Sequence, residues 1–280
     1  ILSALAAVAC TSLITLFYYL GWFWPAFSMT FLLAMQSAFY SPAKYGFIKE
    51  LVGKDKLTVA NGVVQATTTI AILAGIFVYS ILFEQCLSGV DFENKSDVLK
   101  AIAPLGWFLI FNSLIELFTA YKLPKIQSVD DSMNFDFKQY KSGVYLRNNL
   151  NTVLKHEIIL LSIIGLSIFW AISQVMIAAF PVYAEETMLM SNTAIIQGII
   201  ACAGIGIMLG SLIAGRMSKN HIETGMIPIG SFGVAATLMI LPSLESIPLL
   251  ILNFIALGMF GGLFIIPLNA LIQFHAGEHK

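Results

Sequence analysis

Long runs of apolar residues dominate this sequence of 280 residues and constrain its fold more than any other feature. A helix needs about 20 apolar residues to cross the hydrocarbon core of a bilayer. Eight runs approach or exceed that length: 1–20, 23–48, 59–83, 104–122, 157–183, 193–215, 225–242 and 247–272. A transmembrane β-barrel would instead show alternating segments of about ten residues. The sequence therefore predicts an all-α, polytopic membrane protein with about eight transmembrane helices.

Composition excludes several other classes of protein. Hydrophobic residues make up 58% of the chain and charged residues 11%, against about 25% charged in a soluble domain. The net charge of −1 provides no basic face for nucleic acid. The three cysteines form no CxxC pair or Cys/His cluster, so no metal site is expected. Hydrolase, metalloprotease, P-loop and acyltransferase motifs are absent from the sequence, which predicts no catalytic residue, no cofactor and no enzyme activity.

The distribution of lysine and arginine predicts the orientation in the membrane. Cations concentrate in the second, fourth and sixth connections between the apolar runs, about 49–58, 123–156 and 216–224. The third connection holds Lys95 and Lys100 among acidic residues, and the fifth and seventh hold no cation. Because cytoplasmic loops carry the excess of positive charge, even-numbered connections are predicted to be cytoplasmic and odd-numbered ones external.

A short internal similarity relates the second and eighth runs. In each, a proline follows an aromatic residue by three positions and precedes a polar residue by two: Phe39, Pro42 and Lys44; Phe264, Pro267 and Asn269. Transporters are often built from such repeats, and chance similarity is the alternative. The two prolines are 225 positions apart, and with this offset between repeats the chain is expected to hold spans 3–10 of a twelve-span protein. Residues 1–122 would belong to the N-terminal half, 123–156 to a cytoplasmic linker and 157–280 to the C-terminal half.

Lys44 is the one basic residue that lies well inside an apolar run. A cation there is costly unless it is paired or faces water, and it indicates a functional site. Pro42 can kink the helix, and Gly46 permits close approach, so both are candidates for structural or gating roles. A lysine facing a central cavity would suit a phosphate. The alternative is that Lys44 extends to the cytoplasmic interface.

Other polar and aromatic residues within the runs are candidates for substrate binding. Asn61 and Gln65 are four residues apart, hence on one face of a helix. Gln174 lies within the fifth run, and Asn269 lies at the position equivalent to Lys44. For these amides the alternative is a hydrogen bond between helices. Trp170 either lines a cavity for acyl chains or packs against neighbours.

Several motifs resemble the lysophospholipid transporters of the major facilitator superfamily. The most specific are Pro42-Ala43-Lys44-Tyr45-Gly46 and Pro267-Leu268-Asn269-Ala270-Leu271; Phe169-Trp170-Ala171-Ile172 and Ala60-Asn61-Gly62 are also similar. Ala214-Gly215-Arg216 resembles a degraded form of the superfamily's loop motif. The aspartate of that motif is absent from this sequence. The resemblance implies a gating role for Arg216. Pro267 takes a structural or gating role as the counterpart of Pro42.

The resemblance implies a function. We expect a monomeric transporter that moves lysophospholipid, typically lysophosphatidylethanolamine, from the outer to the inner leaflet of the bacterial inner membrane, where it is re-acylated. In many relatives such a domain is fused to an acyltransferase and an acyl-carrier-protein synthetase. The alternatives are a membrane domain that only delivers lipid to a fused acyltransferase, and an exporter of drugs or small metabolites on the same fold.

Overall fold

The computed structural model describes residues 1–87, 94–124, 137–190, 192–218 and 221–275, and these residues form helices without any strand. This agrees with the predicted all-α class. The α-helices of the described residues are α1 (Leu2–Leu20), α2 (Phe23–Val52), α3 (Leu57–Leu87), α4 (Lys95–Ile102), α5 (Leu105–Lys122), α6 (Phe137–Lys141), α7 (Val144–Lys155), α8 (Glu157–Glu186), α9 (Thr193–Met217), α10 (Met226–Ile240) and α11 (Ile247–His275).

Most predicted spans correspond to long apolar helices. By length and composition, six helical segments among the described residues can cross a membrane, and α4 with α5, bent by 50° at their junction, would make a seventh. The remaining predicted span, 23–48, forms the 30-residue helix α2 but is not among these seven. The protein is therefore a multi-pass membrane protein, and the eighth crossing stays a prediction.

The chain packs as two compact units: residues 1–47 with 74–127, and residues 48–73 with 128–280. We call them unit 1 and unit 2. The predicted boundaries between transporter halves, at residues 122 and 157, stay a prediction. Segment 48–73, which the sequence assigns to the N-terminal half, packs in unit 2 with helices that the sequence assigns to the C-terminal half.

In unit 1, α1 packs along α5 through small and hydroxyl side chains. The hydroxyls of Thr11 and Ser113 form a buried hydrogen bond of 2.9 Å between the two helices. A Cβ on Gly106 would collide with the side chain of Thr15, so only glycine permits this approach. Close contact through small residues, reinforced by hydroxyl hydrogen bonds, is how helices associate where lipid replaces water.

One end of unit 1 gathers two connections that the charge pattern predicts to be external. Gly21 adopts a left-handed conformation (φ 70°) and ends α1, because its N–H and that of Trp22 bond the last carbonyls of the helix. A Cβ at Gly21 would collide with Ser96, so the turn lies against α4. Leu99 of α4 is buried in a cluster that includes Tyr18.

In unit 2, α11 lies at the centre and contacts α8, α9 and α10. It is apolar on all sides, which is typical of a buried helix. Its buried side chains, such as Ile265 and Ile266, pack with Phe169 of α8 and Val234 of α10. A second cluster nearer the start of α11 contains Phe254 against Phe180, with ring centroids 4.6 Å apart.

Two pairs of glycines set the approach of α9 to α11. Gly206 and Gly210 on α9 face Gly258 and Gly262 on α11, each pair having the GxxxG spacing. A Cβ on any of the four would come within 3 Å of backbone atoms of the facing helix. Backbone cannot move aside as a side chain can, so these helices can pack this closely only with glycine at all four positions.

Candidate functional sites

A buried amide pair joins α3 to α11 in unit 2. The side-chain Nε2 of Gln273 donates a hydrogen bond of 2.8 Å to Oδ1 of Asn61. Asn61 is only 3% exposed and Gln273 8%. The structure therefore shows Asn61 in the interhelical hydrogen bond that was one of its two predicted roles. A part in substrate binding would require α3 and α11 to separate.

Four polar atoms around this contact are buried without a hydrogen-bond partner among the described residues. They are Oγ1 of Thr58, Nδ2 of Asn61, Oγ of Ser211 and Oε1 of Gln273. Each such group costs about 1–3 kcal/mol relative to its hydrated form. Among the described residues, the interface between α3, α9 and α11 is thus less favourable than an apolar one of the same shape.

The start of α3 also lies close to α9. A Cβ on Gly62 would come 2.5 Å from the carbonyl oxygen of Ser211, and one on Gly215 would come 3.4 Å from Cα of Val59. Glycine at both positions lets the two backbones meet. Together with the amide pair, this contact fixes segment 48–73 against both α9 and α11.

Two lysines, Lys49 in the last turn of α2 and Lys54 in the connection from α2 to α3, contact the last turn of α11. The ammonium of Lys49 donates to the carbonyl oxygen of Phe274 at 3.4 Å. Lys54 places its ammonium 4.9 Å from the centre of the Phe274 ring. Cations are favourable at a helix C-terminus because the last carbonyls carry partial negative charge. Both contacts lie at the end of unit 2 that the charge pattern predicts to be cytoplasmic.

The contact of Lys49 with Phe274 joins two residues at the same spacing as the predicted internal repeat. The two residues are separated by 225 positions, the same offset that relates Pro42 to Pro267 in the predicted repeat. In a structure with a two-fold axis, a residue can touch its own symmetry equivalent only near that axis. The repeat and any axis that relates its two copies stay a prediction.

An apolar cavity of about 180 Å³ lies among α8, α9, α10 and α11 in unit 2. Trp170 and Gln174, one turn apart on α8, both line it, as do Phe169 and Gly204. Trp170 is 47% exposed and meets Phe169 edge to face at 5.5 Å. Trp170 therefore both lines a cavity and packs against Phe169, and its role in binding an acyl chain stays a prediction; Ser173 and Gln174 contribute polar groups to a mostly apolar wall.

The other candidates in unit 2 differ in their surroundings. Gln65 is half-buried, and its amide lies 3.5 Å from the hydroxyl of Thr69 on the same helix. Asn269 is half-buried and makes no side-chain hydrogen bond to other described residues. Pro267 is buried within α11, which continues through it. A substrate-binding role for Gln65 and Asn269 stays a prediction.

Lys44 belongs to unit 1, on α2. It is half-buried, and its ammonium lies 6.0 Å from the centre of the neighbouring Tyr45 ring. Gly46 is exposed, and a Cβ there would meet nothing within 4 Å, so close approach at this glycine is not seen. Pro42 lies within α2, and its side chain is outside the described residues. The phosphate-binding role of Lys44 stays a prediction.

Arg216 is exposed in the last turn of α9, and among the described residues it has no acidic partner. The loop that follows is held by Glu223, which accepts hydrogen bonds from the His221 ring and from the Gly225 N–H. These two hydrogen bonds lower the pKa of the Glu223 carboxyl. The gating role of Arg216 stays a prediction.

Sequence reasoning did not single out Gln273, Thr58 or Ser211 as site residues. The partner of Asn61 is 212 residues away, a separation that only the tertiary structure can bridge. One signal was available for the helix crossing: Gly258 and Gly262 have the same spacing as Gly206 and Gly210. Matching GxxxG pairs on two apolar runs indicate that those runs pack together.

These observations define an all-α membrane protein with a buried polar contact at one end of unit 2 and an apolar cavity within its helices. Comparison with known proteins gives the family. The chain belongs to the Major Facilitator Superfamily, whose model matches residues 1–280.

Curated relatives confirm the similarity to lysophospholipid transporters. Three are named lysophospholipid transporter LplT: a protein of Klebsiella pneumoniae is 27% identical over 89% of this chain, one of Photorhabdus laumondii 29% over 86%, and one of Yersinia pestis 25% over 89%. The chain spans 58%, 56% and 57% of the length of these relatives, respectively.

Proposed function

We propose that this chain is part of a lysophospholipid transporter in a bacterial inner membrane, which moves its substrate from the outer to the inner leaflet for re-acylation. The similarity to curated lysophospholipid transporters over most of the chain carries the proposal. The apolar cavity in unit 2 is compatible with the acyl chain of such a substrate.

The size of this cavity limits what it holds. A cavity of about 150 Å³ accommodates one benzene molecule, so the 180 Å³ beside Trp170 accepts a segment of roughly six carbons. A complete acyl chain is longer than this. We therefore propose that the cavity anchors one segment of the chain and that the rest lies along apolar helix surfaces.

The headgroup requires polar partners. We propose that Lys44 binds the phosphate as a mobile point charge, and that Asn61, Gln65 and Asn269 contribute hydrogen bonds during the cycle. Asn61 becomes available only when its bond to Gln273 breaks. Substrate binding and opening of the α3–α11 contact are thereby linked in the proposal.

The proposed movement is a rocking of two transporter halves about a central substrate site. The contacts of Lys49, Lys54 and Asn61 with the end of α11 close the predicted cytoplasmic end. Release of lysophospholipid to the inner leaflet would break them. Their modest strength suits this role, because a strongly bonded interface would not reopen.

A flipping assay tests the headgroup proposal. Full-length protein is reconstituted in vesicles, and inward movement of headgroup-labelled lysophosphatidylethanolamine is measured for Lys44→Ala and Lys44→Arg. We expect the alanine variant to lose most transport and the arginine variant to keep part of it. Lys155→Ala, at an exposed position on α7, is the matched control. Transport by Lys44→Ala at the parent rate would refute the phosphate role.

We also propose that the transporter acts as a monomer and supplies an acyltransferase, either fused to it or separate, and has no catalytic activity of its own. The reading frame of the complete gene separates the fused arrangement from the separate one. Competition binding of lysophospholipid against small amphiphilic drugs separates lipid transport from drug export.

A further inference from the structure

A second cavity, of about 500 Å³, lies in unit 1 among α1, α2 and α4. Its walls include the aromatic rings of Tyr18, Phe23 and Phe27, together with Leu99 of α4. Lys95 is the one charged side chain among its described lining residues. The cavity is thus apolar with a single cation, and it is separate from the cavity beside Trp170.

The cation lies at one end of this cavity. The ammonium of Lys95 is 5.4 Å from the centre of the Phe23 ring, within the range of a cation–π contact. Phe23 begins α2 and lies between Trp22 and Trp24, which are 53% and 72% exposed. Exposed tryptophans of this kind lie at the headgroup level of a membrane. This predicts that Lys95 lies at the height of lipid phosphates.

The cavity extends from this level along α2, which is predicted to cross the membrane. Thr30, which also lines it, follows Phe23 by seven residues on α2, about 10 Å deeper along the helix. A positive group at headgroup height with an apolar space below it matches the two ends of an amphiphile that has a phosphate in its headgroup. The phosphate would meet Lys95, and the acyl chain would lie along α2.

The cavity is open along part of its wall, and its volume is sufficient for one acyl chain. At about 150 Å³ for six carbons, the 500 Å³ holds roughly twenty carbons. That matches one acyl chain of ordinary length. A lysophospholipid carries one chain, whereas the bulk phospholipids of the membrane carry two.

We propose that this cavity is an external loading site, where a lysophospholipid from the outer leaflet binds before it reaches the transport site. The inference rests on the proposed function for the identity of the lipid. Lys95 contacts the phosphate, and the wall formed by α1, α2 and α4 contacts the chain. The site lies on the face from which the proposed transport begins.

Photo-crosslinking tests the proposal in the full-length protein in lipid nanodiscs. The probe is a lysophosphatidylethanolamine with a diazirine near the middle of its acyl chain, and labelled peptides are identified by mass spectrometry. We expect labelling in α1, α2 and α4, and at least five-fold less after Val98→Trp, which fills the cavity. If the parent protein yields no labelled peptides from these helices, that result alone overturns the proposal, whatever the variants show.

The charge is tested by Lys95→Gln, with Lys100→Gln, on the same helix but not among the described lining residues, as the control. We expect Lys95→Gln to reduce labelling by the phospholipid probe several-fold and to leave labelling by a monoacylglycerol probe, which has no phosphate, unchanged. Equal loss for both probes, or equal effects of the two variants, would overturn the phosphate contact. Labelling of these helices by a two-chain probe as strong as by the one-chain probe would overturn the single-chain site.

Failure of this inference differs from failure of the proposed function. If the parent protein transports lysophospholipid but labelling is confined to α8–α11, the loading site is wrong and transport stands. If the protein neither transports nor binds lysophospholipid at any site, the proposed function fails and the inference fails with it.

Discussion

The hydrogen bond between Asn61 and Gln273 is predicted to stabilise the closed contact between α3 and α11. The perturbation is a double-mutant cycle with Asn61→Leu, Gln273→Leu and the double variant. Hydrogen bonds between membrane helices contribute about 0.6 kcal/mol on average and up to about 1.7 kcal/mol. We expect a coupling energy of at least this size; about 0.6 to 1.7 kcal/mol corresponds to a change of about 3- to 18-fold in the ratio of open to closed protein.

The single substitutions are expected to open the contact more than this bond alone accounts for. Each leaves the other amide buried without its partner, at a cost of about 1–3 kcal/mol. The double variant removes both amides and relieves that cost. The fraction of protein with the contact closed should therefore be larger in the double variant than in either single variant.

Cysteine labelling measures the open fraction. Thr58 is 1% exposed, so a cysteine at this position reacts with a maleimide only when the contact opens. The labelling rate of Thr58→Cys, in a background without the native cysteines, reports the open population in each variant. Thr67→Ala is the matched control on α3, because the side chain of Thr67 is exposed. A coupling energy of zero, in which the two single substitutions change the free energy of opening additively, would refute the closing role of the amide pair.

Three other predictions concern packing, the unit 2 cavity and charge. Gly258→Leu should abolish folding or reduce the melting temperature strongly because its side chain meets the backbone of α9, whereas Gly198→Leu, where a Cβ meets nothing within 4 Å, should leave the melting temperature nearly unchanged. Trp170→Ala should weaken lysophospholipid binding in calorimetric titration and leave a short-chain phosphate analogue unaffected; equal loss for both would contradict a chain-binding role. Lys49→Gln should increase the Thr58→Cys labelling rate by a factor that shrinks at high salt, and a salt-independent effect would argue against the charge contact with the end of α11.

The positions of the long helices could be predicted because the membrane imposes them. Every backbone polar group must be paired within lipid, so a long apolar run has to become a helix. The predicted span 157–183 forms Glu157–Glu186, and 247–272 forms Ile247–His275. The short helices α4 and α7 were not predicted because they are amphipathic segments of connections, and packing stabilises them rather than apolar length.

The candidate sites could be predicted only in part. Trp170 and Gln174 share a cavity because they are one turn apart, a relation that the sequence contains. The bond of Asn61 to Gln273 and the cavity beside Lys95 depend on segments far apart in the chain. Their proximity follows from how whole helices pack, which local periodicity does not determine.

Inward movement of lysophosphatidylethanolamine by the full-length protein in reconstituted vesicles directly tests whether the protein transports lysophospholipid. The assay compares the parent protein with Lys44→Ala and with protein-free vesicles, using a headgroup label that a membrane-impermeant quencher reaches only from outside. We predict that the label becomes protected from the quencher quickly with the parent protein and slowly with the Lys44→Ala variant. Protection at the protein-free rate with the parent protein would contradict lysophospholipid transport.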